Sequence, residues 1–204
     1  MEKTTSDSTY YPATAMPDRD WWAALWPDPE GVLRAAGIEQ NMLVIDLCCG
    51  DGYFTAPLGR IVSPHPVVGV DLSSEMLAMA RKELAQHQVD NVTLIEGDAG
   101  ALPKLVDEPV DFVFIANTFH GVPDQTGLSR AVREVLKPGG KFAIVNWYPR
   151  PREETPVLDQ PRGPATHMRM APEAVQQVVE PAGFAHKSLV DVGPYHYATI
   201  FEAQ

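Results

Sequence analysis

The residues best able to do chemistry fall into a sparse series: Asp46, Cys48, Cys49, Gly50, Asp51, Gly52, Asp71, Asp98, Asn117 and His120. Each stands at or just beyond the end of a short apolar run, and the acids recur from one run to the next. Carboxylates there accept hydrogen bonds from ammonium, hydroxyl and amino groups. The glycines of Cys48-Cys49-Gly50-Asp51-Gly52 let backbone approach a ligand where a Cβ would collide. Asn117 is a candidate to line such a pocket, and His120, with an unperturbed pKa of about 6.5, is either a proton acceptor or a solvated loop histidine.

The elements that position these residues alternate. Leu43–Leu47 reads as a buried strand, Tyr53–Val62 as a helix and Val67–Val70 as a second strand ending at Asp71. Ser73 and Ser74 supply capping oxygens for a helix whose apolar stripe is Met76, Leu77, Ala80 and Leu84. Val92–Ile95 and Asp111–Ala116 are strands three and four, Leu128–Leu136 is a helix closed by Lys137-Pro138-Gly139-Gly140, and Lys141–Trp147 is strand five. Continuous apolar strands alternating with helices predict an α/β fold, a doubly wound and mostly parallel sheet covered on both faces. A helix at Ala171–Ala182 and two strands, His186–Val192 and Tyr195–Phe201, joined through Gly193-Pro194, add an antiparallel C-terminal hairpin and bring the sheet to seven strands. In such sheets ligands bind beyond the C-terminal strand ends, where the acids and glycines lie.

Outside this repeat are two segments. Residues 1–40 read as a polar, proline-marked arm followed by cap helices, with Trp21, Trp22 and Trp26 set before Pro27. These tryptophans either pack the leader onto the domain at 41–204 or form a lid over a ligand. Residues 148–170 read as an insert without periodicity on the substrate side, rich in Pro, Arg and Glu. Its Arg162, His167 and Arg169 are positive groups able to meet an anionic substrate, although solvated arginines are the commoner arrangement. Tyr53, Trp147 and Tyr148 are candidates for an aromatic wall at the site, with Trp147 the most core-like.

With 204 residues, 45% hydrophobic and 21% charged, the chain suits one soluble domain. A net charge of −11 argues against nucleic acid and anionic membrane surfaces. No run approaches the roughly 20 apolar residues of a membrane helix, and the polar start lacks a signal peptide's apolar core. The two cysteines are adjacent, so they cannot cross-link distant segments, and no C-x-x-C or H-x-x-x-H spacing marks a metal site. A cytoplasmic setting is expected.

Two nucleotide-binding chemistries compete for the loop. A dinucleotide fingerprint needs a third glycine where Thr55 stands, and Asp46 and Asp51 would face a pyrophosphate unfavourably. A P-loop is excluded, because no Gly-Lys-Ser/Thr follows. A cationic nucleoside without phosphate fits the acids better, and S-adenosylmethionine is such a ligand.

Over about residues 40–147 the chain resembles the class I S-adenosylmethionine-dependent methyltransferases, in particular the small-molecule enzymes similar to those of quinone biosynthesis. The first motif, D-x-G-x-G-x-G, is matched by Val44–Gly52 with Cys48 in a glycine slot; a thiol is small enough there if the local φ is negative. Val68–Ser73, Glu96–Ala99, Phe112–His120 and Val135–Phe142 resemble the following motifs. The resemblance implies that Asp46, Cys48, Gly50 and Gly52 cradle the methionine part and Asp71 takes the ribose hydroxyls. Leu72, Met76 and Leu102 would flank the adenine, Asp98 and the Ala99 amide would bond it, and Asn117 would lie near the methyl. By their own chemistry, His120 is the candidate base, and Trp22, Trp26, Tyr53, Trp147, Tyr148 and Arg169 are the weaker candidates to face a small-molecule acceptor. The implied reaction is an in-line SN2 methyl transfer; the alternatives are an NAD(P)-dependent oxidoreductase and a catalytically silent cofactor-binding module.

Overall fold

The structure, a computed structural model, describes residues 19–204; the arm expected at 1–19 lies, but for its last residue, outside the described residues. Two short helices, α1 (Arg19–Leu25) and α2 (Pro29–Ala35), open it, and the Asp28 side chain caps α2 through the Gly31 amide. The repeat follows as β1 (Val44–Leu47), α3 (Thr55–Val62), β2 (Val67–Asp71), α4 (Ser74–Gln86) and β3 (Val92–Glu96). It continues with β4 (Val110–Ala116), α5 (Gln125–Val135) and β5 (Leu136–Trp147). The sheet order is β3-β2-β1-β4-β5-β9-β8, with β8 (Phe184–Asp191) and β9 (His196–Ala203) forming the hairpin. Neighbours are parallel from β3 to β5 and antiparallel at β5–β9 and β9–β8. The chain leaves β1 towards β2 and crosses back to β4, so the strand ends on either side of β1 form the crevice expected of this topology.

Burial follows the strand pattern. Val44, Ile45, Leu47 and the run Phe112–Ile115 are out of solvent, one cluster on each sheet face, as strands covered by helices on both sides require. Ser73 caps α4 through the Met76 amide, as its position predicts.

Among the departures from the sequence reading, three have a direct physical cause. The first repeat helix starts at Thr55, because Gly50 and Gly52 hold positive φ and keep the preceding loop non-helical. The helix before strand five closes at Val135, and Leu136 already pairs with Val110; Lys137–Gly140 is a kinked entry to the strand, with Gly139 at φ +74°. The insert, expected to lack regular structure, contains a hairpin of β6 (Pro156–Val157) and β7 (Gln160–Pro161). Leu158 and Asp159 turn it with positive φ at both residues, a geometry usually marked by Asn or Gly and so absent from the sequence signal. Among the described residues no helix is long and apolar enough to cross a membrane.

Candidate active site

The loop after β1 places backbone in a conformation few side chains tolerate. Cys48, Gly50 and Gly52 have φ of +59°, +55° and +86°, so the expectation of a negative φ at Cys48 is overturned. Its thiol sits in the left-handed region that glycine enters without strain. Gly52 is also a packing glycine: a Cβ there would lie 3.1 Å from Cα and Cβ of Ala80 on α4. Cys49 points elsewhere, filling the space over Gly69 of β2 beside Thr55. Burial and nearby carboxylates push both thiols well above the ordinary cysteine range, which makes them inert as nucleophiles. Among the described residues no cluster of three or more His, Cys, Asp or Glu is disposed to hold a metal.

Two carboxylates fix this loop. Asp71, at the end of β2, accepts the Gly50 amide on Oδ2 at 2.8 Å and the Ser73 amide on Oδ1 at 2.9 Å. Each oxygen retains a second lone pair able to accept another hydrogen bond. Asp46 is 3% exposed and accepts the Thr55 hydroxyl at 2.6 Å. Burial, with Asp71 adding like charge, raises its carboxyl to about 7 against the Thr55 bond. Buried acids with perturbed pKa values cluster at functional sites, and a positive charge beside this one would favour its ionised form.

Asp46 lines a cavity of about 90 Å³. Cys48, Cys49 and Gly50 form one side of it; Trp22, Tyr53 and Phe54 form the second; Ala116, Asn117 and Thr118 form the third. Asn117 is at φ +57°, and neither its Oδ1 nor its Nδ2 finds a partner. The Tyr53 hydroxyl donates to the Trp26 carbonyl at 2.6 Å and its ring meets Trp22 edge-on, fastening α1 to the cavity's edge.

His120 follows in a 3-10 turn, Phe119–Gly121, with both ring nitrogens out of solvent and unpaired. Burial, and secondarily the Arg169 charge, lower its pKa, so the imidazole is neutral at pH 7. Asp98, exposed after β3, caps the 3-10 turn Ala99–Lys104 through the Gly100 amide at 2.8 Å. Leu72 and Met76 are half-exposed near the β2 end. Leu102 is fully buried in the core.

Four of the proposed substrate contacts are not on the cavity wall. Trp26 is 1% exposed and donates its indole N–H to the Val192 carbonyl at 2.6 Å; a Cβ at Gly193 would press on that indole at 2.8 Å. It is packing between leader and hairpin, whereas Trp22 is both packing and wall. Trp147 is buried and stacked on Tyr195. Tyr148 turns to Asp191, donating its hydroxyl at 2.6 Å. Arg169 is buried, bonded to the carbonyls of Arg150, Arg162 and Pro164 and to the Thr155 hydroxyl, over the Trp147 ring at 4.7 Å. It fastens the insert to itself through four hydrogen bonds. Arg162 lies over Trp21 at 5.5 Å. Sequence reasoning missed Thr55 as the partner of Asp46, since it drew notice only as a missing glycine.

Comparison with known proteins agrees with this geometry. A methyltransferase domain model matches residues 38–188. The chain is 34% identical over 114 residues to the demethylmenaquinone methyltransferase of Halalkalibacterium halodurans, covering 55% of this chain and 46% of that protein. It is 36% identical over 110 residues to the Staphylococcus aureus (strain MRSA252) enzyme of the same name, covering 53% and 44%. The matched segments thus span less than half the length of these relatives. A SAM-dependent methyltransferase structure from Aquifex aeolicus superposes with a TM-score of 0.78 at 27% identity, over 89% of this chain and 92% of that one. A buried acid and three left-handed residues at the first strand end, on this sheet order and within the matched segment, make the chain a member of the methyltransferase domain family, of the class I S-adenosylmethionine-dependent type.

Proposed function

We propose that the protein transfers a methyl group from S-adenosylmethionine to a small-molecule acceptor. The observation that carries this reading is Asp46, a buried carboxyl raised to about 7 at the tip of β1, beside a loop whose three left-handed residues open backbone to a ligand. The residues present fit the cofactor: Asp46 holds its ammonium, the free lone pairs of Asp71 take the ribose hydroxyls, and Asp98 with the Ala99 amide meets the adenine. When bound, S-adenosylmethionine supplies a methyl group on a cationic sulfonium. The chain supplies alignment and exclusion of water: Trp22, Tyr53 and Phe54 shield the cavity, and Asn117 stands at its acceptor side. Where the acceptor must lose a proton, neutral His120 accepts it at a ring nitrogen.

Calorimetry with S-adenosylmethionine, S-adenosylhomocysteine and NAD tests the cofactor. Binding of the first two and not of NAD is expected; absence of both methionine-derived nucleosides would overturn the proposal and reopen the oxidoreductase alternative. Transfer of labelled methyl to a panel of acceptors separates an enzyme from a silent binding module. Demethylmenaquinone, the compound in the relatives' names, is the first acceptor to assay.

A further inference from the structure

Thr55 is the first residue of α3, and Phe54 before it gives that helix no side-chain cap. The Thr55 hydroxyl nonetheless crosses to β1, donating to Asp46 Oδ2 at 2.6 Å. Thr55 is fully buried, and its methyl packs over β2: a Cβ at Gly69 would lie 3.5 Å from Cγ2. A β-branched side chain has few χ1 states, so the methyl contact and the hydroxyl bond together select one. Asp46 lines the cavity and Thr55 does not. Thr55 therefore acts on a ligand through the carboxyl rather than by touching it.

The other surroundings of Asp46 favour the neutral acid. Burial is the largest effect, and Asp71 at the end of β2 adds like charge. The Cys48 and Cys49 thiols face it as neutral groups. Asp51, in the same loop, accepts the Tyr53 amide at 3.2 Å, and the Tyr53 hydroxyl donates to the Trp26 carbonyl. The register partners of Asp46, Gly69 on β2 and Phe114 on β4, carry no charge. Among the described residues that line the cavity none is Lys, Arg or His. Against all this stands the Thr55 bond, because a hydroxyl donor favours the carboxylate over the acid.

On the reading that Asp46 receives the cofactor's ammonium, we propose that Thr55 is the positioning residue that holds the Asp46 carboxylate for it. Thr55 thereby sets the pH range over which the site distinguishes a nucleoside bearing an ammonium from one without. Below that range Asp46 is neutral and its attraction for the ammonium is lost; above it the attraction is full. Removing the hydroxyl moves the range upwards, since burial and Asp71 then act unopposed.

Two nucleosides separate this role from packing. S-adenosylhomocysteine carries the ammonium; 5′-methylthioadenosine keeps the adenine, ribose and thioether and lacks it. Calorimetry on the full chain compares each variant with the wild type at the same pH, so that the ligand's own titration cancels. Thr55→Val is expected to bind S-adenosylhomocysteine at least about five-fold more weakly than the wild type at pH 6.5 and within about two-fold at pH 9. A rise of about one pH unit in the Asp46 titration, the scale of a hydrogen bond to a charged acceptor, produces that difference. Methylthioadenosine affinity stays within about two-fold at both values, and Thr55→Ser, which keeps the hydroxyl, matches the wild type throughout. A loss for S-adenosylhomocysteine that is equal at both pH values, or that methylthioadenosine shares, would overturn the proposal and leave Thr55 a tie between β1 and α3. Thr55→Ala enters the same comparison if the valine variant does not fold. The infrared band of the protonated Asp46 carboxyl, identified by its absence from Asp46→Asn, needs no ligand. It is expected to persist to higher pH in Thr55→Val, and an unchanged midpoint would also refute the role. Failure of both nucleosides to bind the wild type would sink the cofactor reading instead, while the infrared titration still decides whether Thr55 governs the charge of Asp46.

Discussion

Asp46 accepts the Thr55 hydroxyl at 2.6 Å, and both side chains are closed to solvent. The bond joins the end of β1 to the first residue of α3, so the loop between them is anchored at both ends. It also lowers the Asp46 pKa, but burial raises it more, and the carboxyl titrates at about 7.

A carboxyl whose folded pKa lies above its unfolded value of about 3.8 binds more protons when folded. Its contribution to stability is full below about pH 4, is lost as pH rises through about 7, and is constant above. Without cofactor, the Tm of the wild type relative to Asp46→Asn is therefore expected to fall between pH 4 and 7. Parallel Tm curves for the two would refute the assignment. An ammonium beside Asp46 favours its ionised form, so cofactor binding at pH 6.5 should release more protons from the wild type than from Asp46→Asn. Calorimetry in buffers of different ionisation enthalpy measures that difference.

Cys48 occupies the left-handed region at φ +59°, so Cys48→Gly is expected to stabilise by about 1 kcal/mol. Cys48→Ala keeps the strain and should not. Urea denaturation of the pair decides it, and equal effects would show that the thiol's packing outweighs the backbone.

Gly52→Ala places a Cβ against Ala80 at 3.1 Å with φ at +86°. The expected loss is about 1–3 kcal/mol, with weaker cofactor binding because the loop must shift from α4. Unchanged stability would mean that α4 yields without cost.

Arg169→Lys keeps the charge but loses the planar set of donors that ties Arg150, Arg162, Pro164 and Thr155 together. A loss of about 2–3 kcal/mol is expected, accompanied by faster proteolysis within 148–170. If Arg169 instead met an anionic substrate, the variant would raise KM with Tm unchanged.

His120→Ala should lower turnover on a proton-losing acceptor by about 10²-fold or more while leaving S-adenosylmethionine affinity near its wild-type value. Equal turnover would leave His120 without a part in the proton transfer.

The letters alone carried the repeat, because buried parallel strands read as continuous apolar runs and their ends are marked by Asp46, Asp71 and Asp98. Local chemistry of this kind survives in sequence: glycine at 50 and 52 signals positive φ, and Ser73 before Met76 signals a cap. Tertiary structure decided the rest. Cys48 carries no mark of a left-handed backbone, since its conformation is imposed by the loop that Asp71 holds through Gly50. Trp22 and Trp26 look alike in sequence, yet one lines the cavity and the other packs on Val192 and His196, from the far end of the chain. Arg169 reads as a free cation until the hairpin fold of the insert surrounds it with carbonyls. Trp147 and His196 meet only because β9 runs antiparallel to β5, and a pairing of that range leaves no local periodicity to read.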